Sequence, residues 1–187
     1  MFNLFKRKPK PIKYTCACCG EKHEGLPSLG YKRPRHYFDV PENEREERIV
    51  CDQDFCVIKP SEVSLNQHII YLIRTELYIP VKDTDEYISL GVWVSQSKDS
   101  FELYSETFDD DQSDFLSFGW LTVHMPYYKT LTEEGNLVSL KCDVRGRDDN
   151  QRPLLHLQEV DHPLYYDTHH GVSLKKAYEI SSALLHP

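Results

Sequence analysis

The chain has 187 residues, 40% hydrophobic and 28% charged, a globular composition at a length that fits one domain with at most a small appendage. Its net charge of −8 argues against general nucleic-acid binding, which needs a basic surface to displace phosphate counterions. No apolar run approaches bilayer-spanning length, and MFNLFKRKPKP lacks the apolar core and cleavage site of a signal peptide, so the expected compartment is the cytoplasm.

Residues 1–13 read as a basic flexible tail carrying Lys6, Arg7, Lys8, Lys10 and Lys13. With Phe2, Leu4 and Phe5 it would make at most a weak contact with an anionic membrane surface. Residues 14–60 read as a small cysteine-containing lobe, interrupted by Pro27, Pro34, Pro41 and Pro60. Tyr31, Lys32, Arg33 and Arg35 form a second basic group, the place nucleic acid would touch if the overall acidity permitted it. PENEREERIV predicts a short helix, with Glu44 and Arg48 paired at i, i+4.

Residues 61–187 read as a sheet domain. In QHIIYLIRTELYIPV, Ile69, Tyr71, Ile73, Leu77 and Ile79 share a face at period two, and the strand ends at Pro80. EYISLGVWVS is a second strand, with Ile88, Leu90, Val92 and Val94 on one face and Gly91 and Trp93 on the other. SKDSFELYSETF changes period: Phe101, Tyr104 and Phe108 recur at helical spacing after a Ser or Asp cap. DDDQSD lacks the glycine and terminal glutamate of a calcium loop and reads as solvated. FLSFGWLTVHMP is a third strand, with Gly119 marking a bulge or a close contact. NLVSLKCDVR is a fourth, with Val138, Leu140, Cys142 and Val144 inward, and RPLLHLQEV a fifth. SLKKAYEISSALL is an amphipathic helix capped by Ser173, with Leu174, Ala177, Tyr178, Ser181 and Leu185 in one stripe. The order predicts an α+β fold: a mostly antiparallel sheet, flanking helices and a small zinc-knuckle-like N-terminal lobe.

The chemistry concentrates in CACCGEKHEGLP. Six cysteines in a reducing compartment point to metal or burial rather than disulfides. Cys16 and Cys19 form a C-x-x-C turn that lets two thiolates converge on zinc, and Gly20 lets the backbone fold close to the sulfur. Two further ligands must come from elsewhere. Cys51 with Cys56 is one choice, and His23 with Cys56 the other. A redox C-x-x-C would open a helix, whereas EKHEGLP turns into loop. Buried, unliganded thiols are the third reading.

Several pieces together resemble the bacterial domain-of-unknown-function 2199 family: CACCGEKHEGLP, DQDFCVI, IRTELYIPV, LGVWVS, FGWL, RPLLHLQ, and DHPL followed by HGVS, spread over residues 14–186. The resemblance implies a soluble bacterial domain with no established activity. Position by position it supports Cys16, Cys19, Gly20, His23 and Cys56 as pattern members, which selects Cys16, Cys19, His23 and Cys56 as the ligands of a structural zinc. Cys18 and Cys142 look particular to this chain, and DTHHG stands where a glutamine-containing stretch is usual, which weakens any role for His169 or His170.

Outside the cysteines, DHPLYYDTHHG holds Asp161, His162, Asp167, His169 and His170. A His–Asp pair could act as a base with its orienting carboxylate, but adjacent residues of an extended chain point apart, and Pro163 favours a rigid turn. Trp93 and Trp120, each near a glycine, would line a shallow groove or simply pack in the sheet. No nucleophile elbow, phosphate loop or dinucleotide fingerprint is present. The reading is a zinc-stabilised protein-binding or accessory module, immunity- or adaptor-like, contacting its partner through an acidic face. The alternative is a metal-dependent hydrolase using Asp161 and His162.

Overall fold

The period-two pattern between residues 70 and 94 organises the molecule. The computed structural model describes residues 13–15, 20–26, 28–61, 68–148 and 150–185. β1 (Lys13–Thr15) and β2 (Lys22–Glu24) form a separate antiparallel pair. β3 (Ser28–Gly30) leads to α1 (Arg35–Asp39), a 3-10 turn, α2 (Arg45–Arg48), and a hairpin of β4 (Ile49–Cys51) and β5 (Phe55–Ile58). Then come the long strands β6 (Ile70–Pro80) and β7 (Tyr87–Gln96), α3 (Lys98–Glu106) and β8 (Leu116–Trp120). After a 3-10 turn at Pro126–Tyr128 follow β9 (Lys141–Arg145), β10 (Leu154–Leu157), α4 (Pro163–His170) and α5 (Leu174–Leu185).

β6 and β7 pair antiparallel from Tyr71 to Pro80, and Ile73, Thr75, Leu77 and Ile79 face Val94, Val92, Leu90 and Ile88 across the ladder. All eight are essentially inaccessible to water. Each buried aliphatic side chain contributes about 1.5–3 kcal/mol, so this face sets the register. Ile69, expected on it, lies before the strand and is exposed. Leu155 and Leu157 of β10, and Val144 and Cys142 of β9, continue the same interior.

The sheet runs β3-β7-β6-β10-β9-β8, with β5 also on β6 and β4 outside β5. It is mixed: β3 is parallel to β7, and β10 to β6, where the sequence predicted mostly antiparallel pairing. Alternation reports a strand and its faces but not its direction. Both parallel pairs join strands separated by several elements, the long crossover that parallel pairing requires. β3, β4 and β5, which fall inside the predicted lobe, belong to this main sheet.

The path curls until its far end meets β7. Leu121 bridges Val94, and Thr122 N donates to Trp93 O at 2.8 Å. Gly119 is the point of closest approach: a Cβ there would stand 2.0 Å from Ser95 O. Here glycine is required by the crossing backbone itself.

The helices follow the sequence where caps and period agree. Ser97 Oγ accepts from Ser100 N at 3.1 Å at the start of α3, and Phe101 and Phe108 pack edge-on against Phe55. Ser173 Oγ caps α5, whose Ala177, Ile180 and Ser181 are buried. Glu44 and Arg48 pair at 2.5 Å. DHPLYYDTHH, by contrast, is a helix rather than a turn: Pro163 occupies the first helical position, where its missing N–H costs nothing, and His162 rather than Ser, Thr, Asp or Asn is the cap.

Candidate functional site

Cys16 and Cys19, with Cys18, lie outside the described residues, and so does the side chain of His23, whose backbone pairs with Tyr14 in β2. Cys56 is fully buried in β5, directly opposite Cys51 in β4. Lys59 N donates to Arg48 O and Asp52 N to Phe55 O. By the alternation of an antiparallel ladder, Cys51 and Cys56 then form a non-hydrogen-bonded pair, the kind whose Cα atoms lie about 4.5 Å apart with side chains in closest approach. The thiols interact. A hydrogen bond from Cys56 pulls the Cys51 pKa below its ordinary value, burial opposes it, and the Arg33 guanidinium adds to the lowering. The same bond and burial push the Cys56 thiol strongly up. Arg33 Nη1 sits 3.6 Å from Cys51 Sγ and donates to Asp52 O at 2.8 Å.

The hairpin was legible in principle. In CDQDFC, Asp52 Oδ1 accepts from Asp54 N at 2.8 Å and from Phe55 N at 2.7 Å, the Asx turn that an Asp after a strand favours. Thus Cys51 is the thiol placed beside Cys56. Among the described residues no group of three or more His, Cys, Asp or Glu side chains is arranged to hold a metal.

Arginines gather next to this hairpin. Arg74 of β6 lays its guanidinium across Gly30 and Gly91, where a Cβ would come within 2.4 and 3.2 Å of Nη2. Burial lowers its pKa, with Arg152 and Arg33 acting in the same direction and Asp54 and Glu76 opposing. Where β5 and β10 both pair with β6 the edge forks, leaving a cavity of about 300 Å³ lined by Asp54, Glu76, Phe108, Arg147 and Arg152 among others. Arg152 Nε meets Asp54 Oδ1 at 2.6 Å, and Arg147 reaches Glu76 Oε2 and Tyr78 Oη at 3.1 Å each. These cations hold carboxylates of this same chain, so the fork reads as a brace. Its partners lie up to 98 residues apart, and no local pattern announces them.

Asp161 and His162 do not converge. Asp161 is exposed and accepts from Tyr166 Oη at 3.3 Å. His162 turns inward and caps α4, its Nδ1 accepting from Leu164 N at 3.2 Å. Burial lowers its pKa and a hydrogen bond to the Tyr128 backbone opposes. His162 Nδ1 is thus occupied structurally and faces away from Asp161, so the base-and-orienter arrangement of a hydrolase is not built here. Asp167 is buried instead under Tyr128 Oη at 3.0 Å and Lys176 Nζ at 2.8 Å. His169 and His170 are exposed, each with Nδ1 on the carbonyl four residues back.

The tryptophans part company. Trp93 is buried and donates through Nε1 to Tyr31 O at 2.8 Å. Trp120 is 42% exposed on β8, in line with Phe118 at 41% and Leu116 at 68%. Alternation puts these three on the outer face, and the Phe118 and Trp120 rings meet edge-on at 4.7 Å. Lys141, Asp143 and Arg145 stand directly across on β9. The residue period carried this signal: L-S-F-G-W alternates large apolar with small residues, and the small ones take the crowded inner face.

A family model described as "Uncharacterized protein conserved in bacteria (DUF2199)" matches residues 15–172, and the chain belongs to that family. No curated protein and no solved structure matches it. No described helix is long and apolar enough to cross a membrane.

Proposed function

We propose that this member of an uncharacterised bacterial family is a partner-binding accessory module, adaptor- or immunity-like, that docks a protein on the outer face of β8. The carrying observation is the stripe Leu116, Phe118 and Trp120, three large apolar side chains left exposed in a row beside alternating charges on β9. Aromatic anchors within a charged rim are the usual makeup of a protein interface. The docking surface is therefore apolar rather than the acidic face that net charge suggests. A structural zinc held by Cys16, Cys19, His23 and Cys56 pins the N-terminal stretch in this reading. Its support is the C-x-x-C-G spacing in the sequence and a buried Cys56. Cys51, across the ladder from Cys56, competes with His23 for the fourth position.

The docking test compares the chain with its Phe118→Ser/Trp120→Ser variant as bait in bacterial lysate. A partner retained in near-equal amount by the first and lost by the second, at unchanged melting temperature, supports the reading. Identical capture by both removes the stripe from it. Elemental analysis tests the metal: about one zinc per chain, absent from Cys16→Ser, is expected. Retention in Cys51→Ser with loss in His23→Ala assigns His23, and a metal-free protein overturns the zinc.

A further inference from the structure

Arg33 faces the cysteine hairpin on one side and an open cleft on the other. The cleft, of about 350 Å³, is lined by Tyr31, Arg33, Arg35, Phe38, His124 and Leu131. It lies where α1 is tied to the segment after β8, Arg35 N donating to Thr122 O at 2.7 Å. On a chain of net charge −8, the lining carries two guanidiniums and an imidazole and no carboxylate. Asp39 engages Arg35 from outside the lining, at 2.7 Å from Nη1. Arg33 is held in place by its own Nη1 donating to Asp52 O and by the Tyr37 ring beneath its guanidinium at 5.5 Å.

Tyr31 forms a fixed part of the cleft wall. Its Oη is buried and has no hydrogen-bond partner among the described residues. That oxygen is inaccessible from the cleft, so Tyr31 contributes its ring to the wall and not its hydroxyl to a ligand. Its backbone is fixed on both sides, N donating to Gly91 O at 2.9 Å and O accepting from Trp93 Nε1. Burial pushes its pKa up to about 12, so it brings no negative charge to the cleft across the physiological range. Phe38, 57% exposed, and Leu131 provide apolar wall.

We propose that this cleft binds a small organic anion. Its phosphate or carboxylate group sits between Arg33 and Arg35, while its apolar body lies against Tyr31, Phe38 and Leu131. The volume is at the small end of ligand pockets, suited to a body of about one ring and not to a polymer. This site is separate from the β8 stripe and does not depend on that reading.

Calorimetric titration of the full chain with phenyl phosphate and with benzoate tests it, phenol serving as the neutral control. The expected result is saturable binding of at least one anion, weakened by salt, with no binding of phenol; the better anion identifies the head group. Arg33→Gln should weaken binding about tenfold or more. Because Arg33 also braces the hairpin, Arg35→Gln, checked for an unchanged melting temperature, provides a second reading of the same contact. No binding of either anion, phenol binding as well as the anions, unaltered affinity in Arg35→Gln, or an oligonucleotide displacing phenyl phosphate would each overturn the proposal.

Discussion

The chain up to residue 61 and the chain from residue 68 onward are built on different principles. Among the described residues before 61, only Val40, Cys56 and Ile58 are buried hydrophobics, and every other one lies at Leu72 or beyond. The later region is held by area, through the apolar face shared by β6, β7, β9 and β10. Beyond the β3–β7 and β5–β6 ladders and the packing of Phe55, the earlier region is held by points: Tyr31 N on Gly91 O, Trp93 Nε1 on Tyr31 O and Arg35 N on Thr122 O. A net hydrogen bond is worth about 1 kcal/mol. Such a region opens locally at a fraction of the global free energy, which is also where a zinc tie would matter most.

The sharpest way to break the comparison is at Gly119. Gly119→Ala puts a methyl group 2.0 Å from Ser95 O and 2.6 Å from Val94 Cγ1, at the seam where β8 meets β7. Relieving that overlap must move backbone, and we expect a loss of about 2–3 kcal/mol in urea unfolding, at the upper end for overpacking. A loss below about 0.5 kcal/mol, the level of an ordinary surface substitution, would mean that closure of the sheet contributes little and that the later region is looser than its burial implies.

A smaller effect should separate the regions cleanly. Trp93→Phe keeps an aromatic ring in the core but removes the donor to Tyr31 O. The expected cost is about 1–2 kcal/mol, combining a lost hydrogen bond and a small cavity. Native-state hydrogen exchange should locate it: the Tyr31 and Arg35 amides exchange faster, while the β6–β7 ladder keeps its protection. Uniform acceleration across both would show that the two regions open as one unit.

The same division governs what the sequence could tell. The strands of the later region and its helices α3 and α5 announced themselves, because burial on one face writes a period into the chain: Ile88, Leu90, Val92 and Val94 were expected inward and are inward. Ser97 and Ser173 were expected as caps and are caps. What the pattern does not encode is direction, so the two parallel pairings were missed. Nor does it encode contacts between distant segments, so Arg147 on Glu76 and Arg152 on Asp54 left no trace. Helix α4 was missed because its cap is a histidine. In the earlier region short strands of three or four residues carry too few alternations to read, although Asp52 marked the hairpin turn that sets Cys51 against Cys56.

Acid should act on the two regions in the same direction and with different reach. Each has a histidine that is neutral because it is buried. His36 in α1 has its pKa lowered by burial, with Asp39 opposing and Arg35 assisting, and its Nδ1 is without a partner among the described residues. His162 is lowered by burial while it caps α4, where a positive charge would also oppose the helix dipole. An unfolded imidazole titrates near 6.5. With the folded pKa depressed, the unfolded chain binds more protons between the two values. The stability these rings contribute is thus complete above about pH 6.5 and falls as pH drops below it. For His162 the loss should be global. His162→Asn keeps a capping acceptor and removes the titration, so its unfolding free energy should change less than that of the parent chain between about pH 7.5 and 5.5. For His36 the loss should stay local. His36→Gln should slow the acid-induced exchange of the Tyr37 and Arg35 amides and leave global unfolding as it was. If the His36 variant instead shifted global unfolding as much as the His162 variant does, the point-held region would be part of the cooperative core, and the contrast between area and attachment would fail.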